Sequence, residues 1–185
     1  IMEIAQKHNL IVIEDNAQGI GAYRDFKRLG TQGTFGTLSF HESKNLNCGE
    51  GGALMINDPS YYERSEIIRE KGTNRSSFFR GEVNKYGWVD LGSSYLPSDM
   101  LAAFLTAQLE DYALVLMKRK KIYARYLNTL NVLKEIGVET PSINYHGDNA
   151  HIFYLIVRSL DERTKFIDFM KSNEVHCVFH YQSLH

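Results

Sequence analysis

The stretch LIVIED, residues 10–15, decides how the chain folds. It is a continuous apolar run, rich in β-branched residues, that closes on an acidic pair. Runs of this kind belong to parallel strands, which are covered on both faces and do not alternate. The preceding IMEIAQKHN (1–9) sets Ile1, Ile4 and Ala5 on one helical face, and the helix ends near residues 8–9. Helix then strand is the middle of an α/β unit. The chain is therefore expected to be a segment of a larger protein, already inside an element at residue 1 and stopping at HYQSLH without a closing one. Asp15 falls just past the C-terminal end of the strand, where open α/β sheets bind ligands.

Outward from this strand, a glycine-rich loop covers 18–36. GTLSFH (36–41) and GGALMIN (51–57) then read as strands. PSYYERSEIIREKG (59–72) reads as a helix, with Pro59 near its start and Gly72 as its C-terminal punctuation. Residues 73–97 are irregular, polar and aromatic, and a loop that long is usually functional or mobile. Ser98 opens the helix SDMLAAFLTAQLEDY (98–112), and a second helical stretch runs to about residue 133. It carries the charge run KRKK (118–121), expected as a solvated face. NVLKEIGVETPS (131–142) is a connector. IFYLIVRS (152–159) and VHCVFHY (175–181) read as strands. The amphipathic helix DERTKFIDFMKSNE (161–174) lies between them, with Asp161 as its cap. The expected organisation is a large α/β domain over 1–112, a connecting helix and linker over 113–140, and the start of a small α+β domain over 141–185.

Composition narrows the function classes. The chain has 185 residues, 43% hydrophobic and 23% charged, as globular proteins do, and is long enough for one core and part of a second. A formal net charge of −1 argues against nucleic-acid binding through bulk charge. No apolar run approaches the roughly 20 residues that span a bilayer, and Glu3, Lys7 and His8 interrupt any signal-like N-terminus. The two cysteines, Cys48 and Cys177, lie too far apart to form a framework, which favours a reduced, cytoplasmic setting.

The residue that asks for chemistry is Lys44, in SFHESKNLNCGEGG (39–52). A phosphate-gripping loop needs its glycines before the lysine and a helix after it. Here the glycines follow the lysine and a strand follows them, so that reading fails. Cys177, His180 and His185 have the spacing of three metal ligands. Cys177 and His180 have opposite parity on a strand, however, and no second cluster accompanies them, so no metal is expected. No GxSxG elbow is present. What remains is covalent catalysis by an amine. An enzyme that uses pyridoxal phosphate needs a lysine for the cofactor aldehyde, a carboxylate to keep the pyridine nitrogen protonated, and donors for the phosphate. Lys44 fits the first role, Asp15 the second and Ser39 the third, and Gln18 is within reach of the ring hydroxyl. Each also has an ordinary reading: a turn-forming aspartate, a strand serine, a surface lysine.

Taken in order, IVIEDNAQGIGA (11–22), GTFGTLSFHESKNLNCGEGGAL (33–54) and LGSSYLPSDMLAAFLTAQL (91–109) resemble the DegT/DnrJ/EryC1/StrS sugar aminotransferases. The resemblance implies a fold-type-I pyridoxal phosphate enzyme with a mixed, mostly parallel sheet. It implies that Lys44 carries the cofactor and shuttles the proton. Asp15 would pair with the pyridine nitrogen, Gln18 with the ring hydroxyl and Ser39 with the phosphate. Ser94 stands where the family often has an asparagine that reaches a neighbouring subunit's phosphate. His185 matches a histidine lining the substrate site, and Ser183 stands where proline is usual. The implied reaction moves an amino group from glutamate to C4 of a nucleotide-linked keto sugar, in a homodimer with shared active sites. Arg75, Arg80 and Lys85 are candidate contacts for the nucleotide diphosphate, with loop surface charge as the equal alternative. The family chain is about twice this length. Further phosphate contacts and the aromatic that stacks on the cofactor ring would lie upstream, so this chain alone is expected to bind the cofactor poorly. Two rivals are a sugar dehydratase of the same family, in which histidine replaces the lysine, and a non-catalytic dimerisation module.

Overall fold

The computed structural model describes residues 1–142 and 147–184. The chain divides into two compact units. The first is Ile1–Lys120 with Asn144–His151, and the second is Lys121–Ile143 with Ile152–His185.

In the first unit, helix α1 (Met2–Lys7) leads into strand β1 (Ile13–Asp15). A small hairpin follows, β2 (Tyr23–Arg24) against β3 (Lys27–Arg28), then β4 (Phe35–Ser39) and β5 (Gly52–Ile56). The main sheet is mixed, with order β1-β4-β5. β1 runs parallel to β4, pairing Ile13 with Phe35 and Asp15 with Thr37, and β4 runs antiparallel to β5. The expected parallel strand is thus present, but it is shorter than the apolar run and is not buried. Leu10, Ile11 and Ile13 are 59%, 58% and 64% exposed. β1 is the edge of a three-stranded sheet, and its residues alternate in exposure instead of being covered on both faces. Likewise only Ala5 of the expected α1 face is buried, while Ile1 and Ile4 remain open.

Asp58 caps a 3-10 turn at Pro59–Tyr61 by accepting from the Ser60 amide, and α2 (Tyr62–Arg69) continues from it. Residues 73–97 hold one short helix, α3 (Arg75–Phe79), and are otherwise irregular as expected. Ser98 caps α4 (Asp99–Glu110) by accepting from the Leu101 amide, and α5 (Tyr112–Leu130) follows. The charge run on α5 is not wholly solvated. Arg119 turns inward and donates to the carbonyls of Ala150 (3.2 Å) and His151 (2.7 Å). Desolvation lowers its pKa from the usual value.

The second unit carries the later part of α5, a 3-10 segment (Asn131–Ile136) closed by Gly137 at φ 81, and α6 (Leu160–Ser172). Ser159, not Asp161, caps α6 by accepting from the Glu162 amide, and Asp161 pairs with Lys165 one turn on. Neither 152–159 nor 175–181 forms a ladder among the described residues. The former makes a single bridge, Ile156 to Glu139. Strand propensity does not produce a strand without a partner to pair with. No single described helix is long and apolar enough to cross a membrane; only the pair Asp99–Glu110 and Tyr112–Ile136, bent by 63°, passes that test of length and composition together.

Candidate active site

Parallel pairing of β1 with β4 brings two C-terminal strand ends side by side, with Asp15 on one and Ser39 on the other. Paired residues share a sheet face and alternate residues return to it. Asp15, its partner Thr37, and Ser39 two residues further on therefore lie on one face. The Thr37 hydroxyl lies 3.5 Å from Asp15 Oδ1, which also accepts from the Ala17 amide at 3.1 Å. Asp15 is thus the turn former its ordinary reading describes, yet only one of its oxygens is used. Oδ2 makes no hydrogen bond among the described residues, and the side chain is exposed. The Ser39 oxygen accepts from the His41 amide at 3.3 Å, which leaves its hydroxyl proton able to donate.

The opposite face of β1 holds the loop in place. Glu14 accepts from the amides of Gln32 and Gly33 with one oxygen, both at 2.6 Å, and from Gly30 with the other at 2.9 Å. Burial would raise the Glu14 pKa, but the three amides of Gly33, Gln32 and Gly30 outweigh it and hold the group below its ordinary 4.5. The loop sits against β4 only because residue 36 is glycine: a Cβ there would lie 2.2 Å from the Gly30 carbonyl oxygen. Because the folded pKa is depressed, the clamp contributes its full stability above about pH 4.5 and loses it as pH falls through the folded value. Glu14→Gln is expected to cost about 1–3 kcal/mol at pH 7, since one amide then faces an NH2 group. It should also flatten the dependence of the urea midpoint on pH below 5. A variant with an unchanged acid limb would show that the clamp does not titrate.

Lys44 lies in the loop between β4 and β5, several residues of which are buried. Phe40, Asn45, Leu46 and Cys48 are 6%, 8%, 1% and 5% exposed. Backbone bonds close it: Cys48 donates to Phe40, Phe40 to Gly51, Glu42 to Gly49 and Lys44 to His41, each at 2.8 or 2.9 Å. Gly49 supplies the left-handed turn at φ 85. Lys44 itself is half-buried, and its amine makes no hydrogen bond or ion pair among the described residues. Anchoring on both sides fixes where its side chain starts.

Gln18 is exposed in the turn after β1, and its carbonyl accepts from the buried side chain of Asn149 at 2.6 Å. Of the residues named in 73–97, Arg80 is already spent. Its guanidinium forms a fork on Glu66 (2.9 Å twice) and reaches both oxygens of Glu82 (2.7 and 3.1 Å). Those carboxylates, Glu82 first, raise its pKa further above the usual range. A phosphate would have to displace them. Arg75 is exposed, 5.2 Å from the Phe79 ring, and Lys85 is exposed, its carbonyl accepting from the Asn74 side chain at 3.0 Å. Ser94 is exposed and bridges Glu70 through the backbone. Among the described residues, no hydrogen bond or ion pair ties these four to the Lys44 loop. His185 lies outside the described residues. Sequence reasoning missed Thr37, Asn45 and Asn149, single polar residues with no periodic signal. It also missed the role of Glu14, whose only trace is an acid ending an apolar strand just before glycines.

The whole chain, residues 1–185, matches the DegT/DnrJ/EryC1/StrS aminotransferase family. The chain belongs to this family. Among its relatives, the uncharacterized protein MJ1066 of Methanocaldococcus jannaschii is 30% identical over 100% of this chain and 49% of its own length. The dTDP-3-amino-3,4,6-trideoxy-alpha-D-glucose transaminase of Streptomyces venezuelae is 27% identical over 98% of this chain and 45% of its own. In structure, the PLP form of the putative sugar aminotransferase Spr1654 of Streptococcus pneumoniae superposes with a TM-score of 0.80 at 22% identity, covering 98% of this chain and 46% of that one. The α/β mixed-sheet fold of the family's aminotransferases is therefore the fold of this chain. The chain spans about half the length of the curated relatives it matches.

Proposed function

We propose that this chain is the lysine-bearing part of a pyridoxal-phosphate-dependent sugar aminotransferase. The observation that carries the reading is the placement, on neighbouring elements, of an amine and a carboxylate oxygen that make no hydrogen bond among the described residues. Lys44 lies in the anchored loop that leaves β4, and Asp15 at the parallel end of β1. The donor set fits the cofactor by chemistry: an amine for its aldehyde, a free carboxylate oxygen for its ring nitrogen, and a hydroxyl on the Asp15 face for its phosphate. When bound, pyridoxal phosphate supplies an electron sink that makes a proton next to an amino group removable. Lys44 would attach it through Nζ and then, released, take that proton at Nζ and return it to the neighbouring carbon. Asp15 Oδ2 would hold the ring-nitrogen proton, because an anion stabilises a cation beside it. Ser39 would donate to the phosphate, and Gln18 to the ring hydroxyl.

Glutamate as donor and C4 of a dTDP-linked 4-keto-6-deoxy sugar as acceptor complete the reading, on the likeness of 69–96 to the enzymes of enterobacterial common antigen synthesis. The name of the Streptomyces relative supports a dTDP sugar but places its amino group at C3. Arg75 is the better diphosphate candidate of the loop, since Arg80 is occupied. We place the protein in the cytoplasm as a homodimer. Incubating the protein that carries this chain with glutamate and separate dTDP-linked 4-keto and 3-keto sugars tests the substrate. A 4-amino sugar is expected. A 3-amino product would move the reaction to C3, and a deoxygenated product would transfer the chain to the dehydratase reading.

A further inference from the structure

A short segment far along the chain ties the two loops of the candidate site together. Residues 147–151 pack within the first unit. Asn149, 4% exposed, donates its side-chain amide to two carbonyls of the turn after β1, Gln18 at 2.6 Å and Ile20 at 2.9 Å. Its own carbonyl accepts from Asn45 Nδ2 at 2.9 Å. Asn45 is the residue next to Lys44 and is 8% exposed. Its oxygen meets His151 Nδ1 at 2.9 Å. Because Asn45 Nδ2 is fixed as the donor to Asn149, its Oδ1 must accept, so His151 carries its proton on Nδ1. The segment is held from behind by Arg119 on the carbonyls of Ala150 and His151, and by the Tyr23 amide on the Gly147 carbonyl at 3.0 Å. Buried amides in such a chain are costly to leave unpaired, which makes the arrangement specific.

We infer that Asn45 and Asn149 are positioning residues that couple the Lys44 loop to the Gln18 turn, so that the two sides of the site are set in one geometry. The inference rests on the reading of Lys44 as the cofactor lysine, and the test separates the two. Asn57 is the matched control. It donates from the same kind of side chain to two loop carbonyls, Gly30 and Gly33, both at 2.9 Å, but at the other end of the sheet, next to the Phe35–Ile56 pair. Two quantities are measured on the whole protein that carries this chain, in wild type and in Asn45→Ala, Asn149→Ala and Asn57→Ala. The first is amide hydrogen exchange of the cofactor-free protein over 16–22 and 41–48. The second is the yield of pyridoxal phosphate fixed to Lys44 by borohydride.

Asn45→Ala and Asn149→Ala are each expected to speed exchange about tenfold in both windows and to lower trapping at Lys44 about tenfold. Asn57→Ala should leave both windows and the trapping near wild type. If Asn45→Ala speeds exchange only over 41–48, or if Asn57→Ala matches the other two, the coupling is overturned and the asparagines are ordinary stability contacts. If wild type itself fails to trap at Lys44, the cofactor reading fails, and the exchange data alone still decide whether the two loops are coupled.

Discussion

Lys44→Arg fails as completely as Lys44→Ala. Both substitutions are expected to remove the borohydride-fixed cofactor from the peptide containing residue 44. Both should lower amino transfer from glutamate by at least about a thousandfold, the scale on which loss of a nucleophile is felt. The arginine variant separates the readings the sequence left open. A lysine that holds a phosphate acts as a charge, and arginine supplies the same charge with more donors. A nucleophile must lose its proton at working pH, which the guanidinium does not do. Substantial activity or cofactor attachment in Lys44→Arg would return Lys44 to the role of an anion contact. The local fold should tolerate either change, because the loop is anchored by Leu46, Cys48 and Asn45 and not by the Lys44 side chain.

The parts of the fold legible in the sequence were those fixed by local pattern. A parallel strand was visible from the β-branched run at 10–14, though it forms only over Ile13–Asp15, and the starts at Pro59 and Ser98 were visible from cap chemistry. What failed depended on partners. Leu10, Ile11 and Ile13 have the composition of a covered strand, but coverage is decided by whatever packs on the sheet, which a run of residues does not encode. The run at 152–159 has a strand's residues without a ladder to join. At α6 two capping residues stood two apart, and the one whose backbone turned extended, Ser159 at φ −152, took the amide. For KRKK the geometry alone gave warning. Successive helical residues are about 100° apart, so four in a row sweep most of the circumference and cannot all face water. Arg119 is the one that turned in and found carbonyls.

The candidate site divides along the same line. Residue types with chemical meaning, Lys44 and Asp15, could be singled out, and the sheet register puts Asp15 and Ser39 on one face. The residues that hold them were not readable. Asn45 meets Asn149 across 104 positions and Glu14 meets Gly33 across 19, and neither contact leaves a spacing to find. Arg80 shows the converse failure. It has the right residue type for a phosphate, but Glu66, fourteen positions earlier, already occupies it.

Asp15→Asn should separate turn from chemistry as sharply as arginine does at residue 44. Asparagine is as good an Asx-turn former as aspartate. Its side-chain oxygen can keep the bonds from the Ala17 amide and the Thr37 hydroxyl. If Asp15 only shapes the turn, the variant folds and works like wild type. If Oδ2 serves a ring nitrogen, the substitution exchanges an anion for an NH2 group that points a donor at a proton. The expected loss is about 10²–10⁴-fold in amino transfer, the range found when a positioned proton partner is removed, with less than about 1 kcal/mol change in stability. The pH profile adds a check that a structural role would not move. With the carboxylate gone, the bound ring nitrogen loses the neighbour that favours its protonated form, so activity should recover partly as pH is lowered. An Asp15→Asn protein with wild-type turnover and an unaltered profile would leave the carboxylate as a turn residue and the ring nitrogen in need of another partner.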